Sequence, residues 1–189
     1  IYEQLYRFWL KLFALAFGLG VVTGLVLSYE IGTNWGRFSG KVGNVLGPLM
    51  GYEVLSAFFL EAGFLGVMIF GLNRVGRFLH LFATAMVSLG TLVSMFWILS
   101  ANSWMHTPAG YAIVDGTFTV ADWWAVIFNP SFPYRLAHMA TATFLSSSMF
   151  VAGVSAWYLL RQKHVEFASR GLSLAMWMLL FAAPAQIVI

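Results

Sequence analysis

The sequence predicts an all-α fold: a polytopic transmembrane helix bundle of five spanning segments plus a short interfacial helix. Three observations predict it. Hydrophobic residues make up 60% of the chain and charged residues only 9%, whereas a soluble domain carries roughly 25% charged residues to cover its surface. The apolar residues gather in five long runs, each near the roughly 20 residues that a helix needs to cross the hydrocarbon. The cations fall in short hydrophilic gaps beside those runs, a placement that reads as membrane topology and not as a nucleic-acid patch.

The runs are about Phe8–Tyr29, Leu46–Leu72, Phe78–Ala101, Tyr134–Leu160 and Gly171–Ile189, read together as one transmembrane domain over residues 1–189. Each is rich in Leu, Phe, Val, Ala and Met, and none alternates polar with apolar as a barrel strand does. In the first two, Gly20-x-x-x-Gly24 and Gly47-x-x-x-Gly51 put small residues on one helical face, a spacing that permits close helix contact and is also common by chance. The longest connection, about Asn102–Pro133, contains the stretch Val120–Phe128 (VADWWAVIF). It is too short to span, and its paired tryptophans suit a helix lying at headgroup level. Arg7, Lys11, Arg74, Arg77, Arg161, Lys163 and Arg170 fall on one side of an up-and-down threading, and Arg37, Lys41 and Arg135 on the other. The first side is therefore predicted to be cytoplasmic, with the amino end inside.

With no cysteine in the chain, disulfides, thiolate zinc sites and Cys-ligated iron–sulfur clusters are excluded. The glycines from Gly32 to Gly51 lack the Gly-Lys-Ser/Thr ending of a phosphate loop. No nucleophile elbow or zinc-peptidase motif appears. Ile1 in place of Met, and Ile189 inside an apolar run, suggest a segment of something longer.

Ionisable groups within the apolar runs are few and so informative, because a charge at membrane depth is costly and usually faces the bundle interior, a cofactor or a proton path. Glu53 and Glu61 lie eight residues apart, which in a regular helix separates them by roughly 80° and about 12 Å. Two carboxyls stacked in this way suit proton relay or ligation of a cofactor; alternatively, each is held by a hydrogen bond and only aids packing. His138 is followed by small and hydroxyl residues from Ala140 to Ser148, as a helix that ligates a flat macrocycle requires. Its second ring nitrogen would need an orienting partner. The plainer reading is an interfacial histidine bonded to backbone or water. His80, beside Arg74 and Arg77, is either a polar residue at the cytoplasmic rim or a proton-entry or cofactor-bonding group. His106 and His164 sit in connections and are expected to be solvated.

Four stretches together resemble subunit I of the cytochrome bd quinol oxidases: Gly24–Trp35 (GLVLSYEIGTNW, continuing GRFSGKVGNVLG), Gly51–Gly71 (GYEVLSAFFLEAGFLGVMIFG), Ser94–Pro108 (SMFWILSANSWMHTP) and Tyr134–Leu160 (YRLAHMATATF to SAWYLL). The resemblance covers essentially the whole chain, as the family's second to fifth helices and the start of the sixth. It implies that His138 is an axial ligand of the iron of a low-spin haem b near the outer face. It implies that Glu53 lies beside the paired high-spin haems, a haem b and a haem d or substitute haem b, where oxygen is reduced. Glu61 and Ser94 match members of a proton path from the cytoplasm, and His80, Asn102 and Trp104 match motif positions that the resemblance associates with cofactor binding. Quinol and oxygen would be substrates. A second large subunit, with or without a small single-helix subunit, and membrane lipid would be partners; no nucleic acid is implied. The setting would be a bacterial or archaeal inner membrane. The family's first helix with its high-spin haem ligand, the quinol-binding loop and the methionine of the low-spin haem are absent from the chain, and His106 stands where the family usually has Gln.

The resulting expectation is part of a quinol:oxygen oxidoreductase that makes water with quinol electrons and cytoplasmic protons, building a gradient without pumping. A haem-free proton-coupled transporter or a helical scaffold subunit is the rival reading, and would use the same carboxylates without redox chemistry.

Overall fold

The computed structural model describes residues 1–189. Its helices are α1 (Tyr2–Thr33), α2 (Gly36–Glu53), α3 (Phe59–Phe70), α4 (Arg77–His106), α5 (Trp123–Ile127), α6 (Phe132–Leu160) and α7 (Val165–Val188). A π-helical turn, Val54–Phe58, joins α2 to α3 without a break, and an antiparallel hairpin of β1 (Tyr111–Val114) and β2 (Thr117–Val120) follows α4. Five helical stretches are long and apolar enough to cross a membrane: Tyr2–Thr33, Gly36–Phe70, Arg77–His106, Phe132–Leu160 and Val165–Val188. The all-α fold with five long apolar helices and a short helix is thus the one that the sequence predicts.

The spans extend beyond the apolar runs, most of all at the second, which begins at Gly36 and not near Leu46. In water a glycine-rich stretch disfavours helix. Here tertiary packing of its apolar face outweighs that propensity. Val42, Val45, Leu46 and Leu49 form the buried face of α2, packed with Ala101, Trp104 and Val126. Gly36, Gly40, Gly43, Gly47 and Gly51 line the other face, where a Cβ would meet nothing within 4 Å beyond its own stretch of helix. The turn after α1 is closed by Glu30, whose carbonyl accepts from the amides of Asn34 and Trp35 at 3.0 and 3.2 Å. The Glu30 carboxyl accepts from the Asn34 amide group.

The chain separates into two compact units, Ile1–Ala16 with Ala137–Ile189, and Phe17–Leu136. In the first, Phe8 meets Tyr158 and Phe167 edge-on at centroid distances of 6.4 and 5.4 Å, and Trp9 meets Phe150 at 5.9 Å. Gly171 of α7 lies so close to Ser155 of α6 that a Cβ there would fall 2.7 Å from the Ser155 hydroxyl.

In the second unit the connection after α4 is a folded cap. The hairpin turns at Asp115 and Gly116, with φ of 50° and 75°. Positive φ at both central residues is the turn that matches strand twist, and Asp-Gly is its favoured dipeptide. Trp104, 1% exposed, packs edge-on against Tyr111 and Phe118 of the two strands, and its indole N–H donates to the Ala109 carbonyl at 2.9 Å. Gly110, at φ +68°, leaves no room for a side chain: a Cβ would lie 2.4 Å from the Asp122 carbonyl oxygen. Asp122 caps α5 by accepting from the Trp124 amide at 2.8 Å.

Asn129 pins this cap to α4. It is fully buried and donates to Ser103 Oγ at 3.0 Å and to the Val126 and Ser100 carbonyls at 3.1 and 3.3 Å, while its oxygen accepts from Thr107 at 3.1 Å. A buried polar group that loses its partner costs about 1–3 kcal/mol. Asn129→Ala is therefore expected to lower the stability of the full-length subunit by about 1–3 kcal/mol and to speed protease cutting between residues 107 and 131. Thermal unfolding and limited proteolysis in detergent read both effects.

Candidate functional site

The second unit brings three of the site residues chosen from sequence to one groove. Glu53 ends α2, Glu61 lies in the first turn of α3, and Ser94 lies on α4 facing them. The Ser94 hydroxyl donates to Glu53 Oε1 at 2.7 Å. Glu61 is 6% exposed, and Thr91 of α4 shares its cavity. Glu53, Glu61, Thr91 and Ser94 line a cavity of about 400 Å³ whose other walls are mainly apolar, with Gly20, Gly24 and Ser28 of α1 among them.

The π turn gives the two glutamates their common direction. Within Val54–Phe58 the chain makes a wide turn, with the Phe59 amide donating to the Val54 carbonyl five residues back. Such a turn takes up one extra residue without advancing the helix. Eight residues then count as about seven α-helical steps, so the carboxylates differ by roughly 20° instead of roughly 80°, about 10.5 Å apart along the axis. This corrects the regular-helix geometry expected from sequence. The turn is braced from α4: Trp97 Nε1 donates to Ser56 Oγ at 2.8 Å, and its ring stacks on Tyr52 at 5.2 Å.

Gly90 of α4 makes the close approach possible. A Cβ there would lie 2.5 Å from Glu61 Cγ and 3.3 Å from the Ala57 carbonyl oxygen and the Glu61 amide nitrogen. The absent side chain is the notch into which Glu61 fits.

The remaining residues are placed as follows. His80 is buried, with Nε2 3.1 Å from the Met68 carbonyl. Met68 is near the end of α3, where carbonyls lack intrahelical partners, so His80 ties the start of α4 to the end of α3. The Asn102 side-chain oxygen accepts from Arg135 Nη1 at 3.0 Å. Trp104 lies in the core beneath the hairpin. His106 is exposed at the end of α4, and His164 is exposed in the turn before α7 with φ 48°.

In the first unit, His138 is on α6 with its ring exposed and Gln186 of α7 beside it, the Gln186 amide nitrogen 2.8 Å from Nδ1 and 3.2 Å from Nε2. Thr141, one turn along α6, donates to Gln186 Oε1 at 2.6 Å. Gln186 escaped the sequence reading although a polar side chain in an apolar run is a signal in itself; its partner is 48 residues away. No three His, Cys, Asp or Glu side chains converge to hold a bare metal ion. A haem asks for less, a single accessible imidazole per axial position with small neighbours. His138, with Ala140, Thr141 and Ala142 following it, fits that demand.

Five helices long and apolar enough to cross a membrane define the class: a multi-span helical membrane protein. The chain belongs to the cytochrome bd terminal oxidase subunit I family, whose profile matches residues 1–189. It is 38% identical over 176 residues to cytochrome bd-II ubiquinol oxidase subunit 1 of Escherichia coli K12, covering 92% of this chain and 34% of that one. It is 39% identical over 176 residues to cytochrome bd ubiquinol oxidase subunit 1 of Bacillus subtilis 168, covering 93% of this chain and 38% of that one. The solved structure of bd oxidase from Geobacillus thermodenitrificans superposes with a TM-score of 0.90 at 27% identity, over 96% of this chain and 42% of that chain. The chain thus spans between 34% and 38% of the length of these two curated relatives.

Filling the notch tests the geometry. Gly90→Ala is expected to force α3 and α4 apart or displace Glu61, costing about 1–3 kcal/mol as overpacked sites do. Thermal unfolding of the full-length subunit measures this; an unchanged midpoint would show that the contact is loose.

Proposed function

We propose that this chain is part of the haem-bearing subunit of a membrane quinol:oxygen oxidoreductase, which reduces oxygen to water with quinol electrons and cytoplasmic protons. The observation that carries the reading is the groove in which Ser94 bonds to Glu53 and Glu61 lies on the same face. Haems, when bound, would supply the electron transfer and the oxygen chemistry. His138 would hold a low-spin haem b through its imidazole, and Glu53 would lie beside a high-spin haem b and a haem d or substitute haem b.

The protein side of the reaction is proton delivery. Water formation consumes protons, and in an apolar wall they must be passed between groups able to hold and release them. Glu61 takes a proton from the cytoplasmic side, Glu53 receives it further out, and the Ser94 hydroxyl keeps the Glu53 carboxyl turned into the groove. A carboxyl ladder moves protons without opening a pore to ions. Consumption of cytoplasmic protons, with quinol oxidised at the outer face, builds a gradient without pumping. The excess of cations at Arg7, Lys11, Arg74, Arg77, Arg161, Lys163 and Arg170 supports a cytoplasmic amino end in a bacterial or archaeal membrane. The exposed apolar faces suit lipid and a second large subunit. Asn102, Trp104 and His80 stand outside the groove's lining. A transporter would be expected to break its helices around a midplane site, whereas α2 and α7 run unbroken through Pro48 and Pro184.

Reduced-minus-oxidised spectra of membranes holding the full-length protein test the haem assignment. His138→Ala should lose the low-spin b band selectively, and an absence of haem bands in the wild type would reject the oxidase reading. Separately, Glu61→Leu should cut quinol-dependent oxygen uptake by about 10²-fold or more, within the range for a lost proton-transfer group, with the haem bands retained. Normal uptake would remove Glu61 from the path.

A further inference from the structure

We propose that Gln186 is the positioning residue of His138: its side-chain amide, anchored by Thr141, sets which imidazole nitrogen is free to bind iron. The inference rests on the haem reading of His138 and goes beyond it by assigning a role to a residue on a different helix.

A histidine that ligates iron presents the lone pair of one nitrogen and donates N–H from the other to an acceptor that fixes its tautomer and orientation. Gln186 is the side chain in place to serve, since its amide lies against the ring, nearer Nδ1 than Nε2. The amide is itself held, because Thr141 Oγ1 lies 2.6 Å from Gln186 Oε1. The threonine hydroxyl is also 3.0 Å from the Ala137 carbonyl and 2.9 Å from the His138 carbonyl. Thr141 therefore has an acceptor for its proton whether or not it gives that proton to the glutamine.

Two arrangements follow. In one, the threonine donates to the amide oxygen and the amide nitrogen, 2.8 Å from Nδ1 and 3.2 Å from Nε2, donates to Nδ1, with the ring proton on Nε2. Half a turn of the amide reverses this. The amide oxygen then accepts N–H from Nδ1, the amide nitrogen donates to Thr141 Oγ1, and the threonine donates to the Ala137 or His138 carbonyl. Nε2 now carries a lone pair and can bind iron. The same three side chains thus serve the empty and the ligating histidine, and the exchange loses no hydrogen bond. An accepting oxygen at Nδ1 also makes the imidazole a stronger electron donor, which favours the oxidised metal.

The test is the midpoint potential of the low-spin haem in the complete oxidase, read by spectroelectrochemical titration rather than by turnover. Gln186→Leu removes the acceptor and should shift the potential upward; Gln186→Glu supplies a stronger one and should shift it downward. Opposite shifts support the assignment. A Leu variant that keeps the low-spin band at the wild-type potential overturns it, as do shifts of both variants in the same direction. If the Leu variant loses the band, the Glu variant decides: a retained band at lower potential supports the role. A potential unchanged from wild type, or loss of the band there too, rejects it. A wild type without haem bands would instead defeat the functional reading itself, so the two failures are distinct.

Discussion

A carboxyl group inside a hydrocarbon layer must find its partners on the protein itself, and the contact of α3 and the π turn with α4 is organised around that demand. Glu61 fits against a residue with no side chain, and Glu53 is held by a serine from the same helix. Trp97, also on α4, braces the wide turn between the two acids through Ser56. One helix therefore supplies the notch, the hydroxyl and the brace. A shift of α4 along its axis would disturb all three together. The cap above it, pinned by Asn129 and packed on Trp104, and the tie from His80 to the end of α3 hold α4 at its two ends.

Two histidines show how little residue type alone decides. His80 and His138 both sit near the start of a long helix. His80 is buried against a backbone carbonyl at the end of α3, a partner that neighbouring structure supplies. His138 is exposed against a side-chain amide that can present either a donor or an acceptor. The first environment fixes the imidazole; the second leaves it a choice.

Much of this architecture was legible in the sequence, for physical reasons. Five spans follow from apolar length, and Glu53 and Glu61 stood out because acids are rare in such runs. The early start of α2 was hidden because glycine spacing signals loops, whereas the packing of Val42, Val45, Leu46 and Leu49 keeps the backbone helical. The hairpin has a local mark, since Asp115-Gly116 between Ile113-Val114 and Thr117-Phe118 is a strong turn signal that apolar length does not register. The π turn has no such mark, because Val54–Phe58 is an ordinary apolar stretch whose winding is set by its contacts with α4. The pairing of Gln186 with His138, like the emptiness that Gly90 provides, exists only once two helices lie side by side.

The π turn also bears on ancestry. A helix that takes up one surplus residue as a wide turn keeps everything beyond it pointing as before. A relative lacking one residue between Val54 and Phe58 could wind the stretch as plain α-helix and still turn both acids toward the groove. The number of residues between the two glutamates is thus free to differ by one among descendants of a common parent. A one-position gap at this point in an alignment would mark a change of winding, and the chemistry on either side of it would be inherited intact.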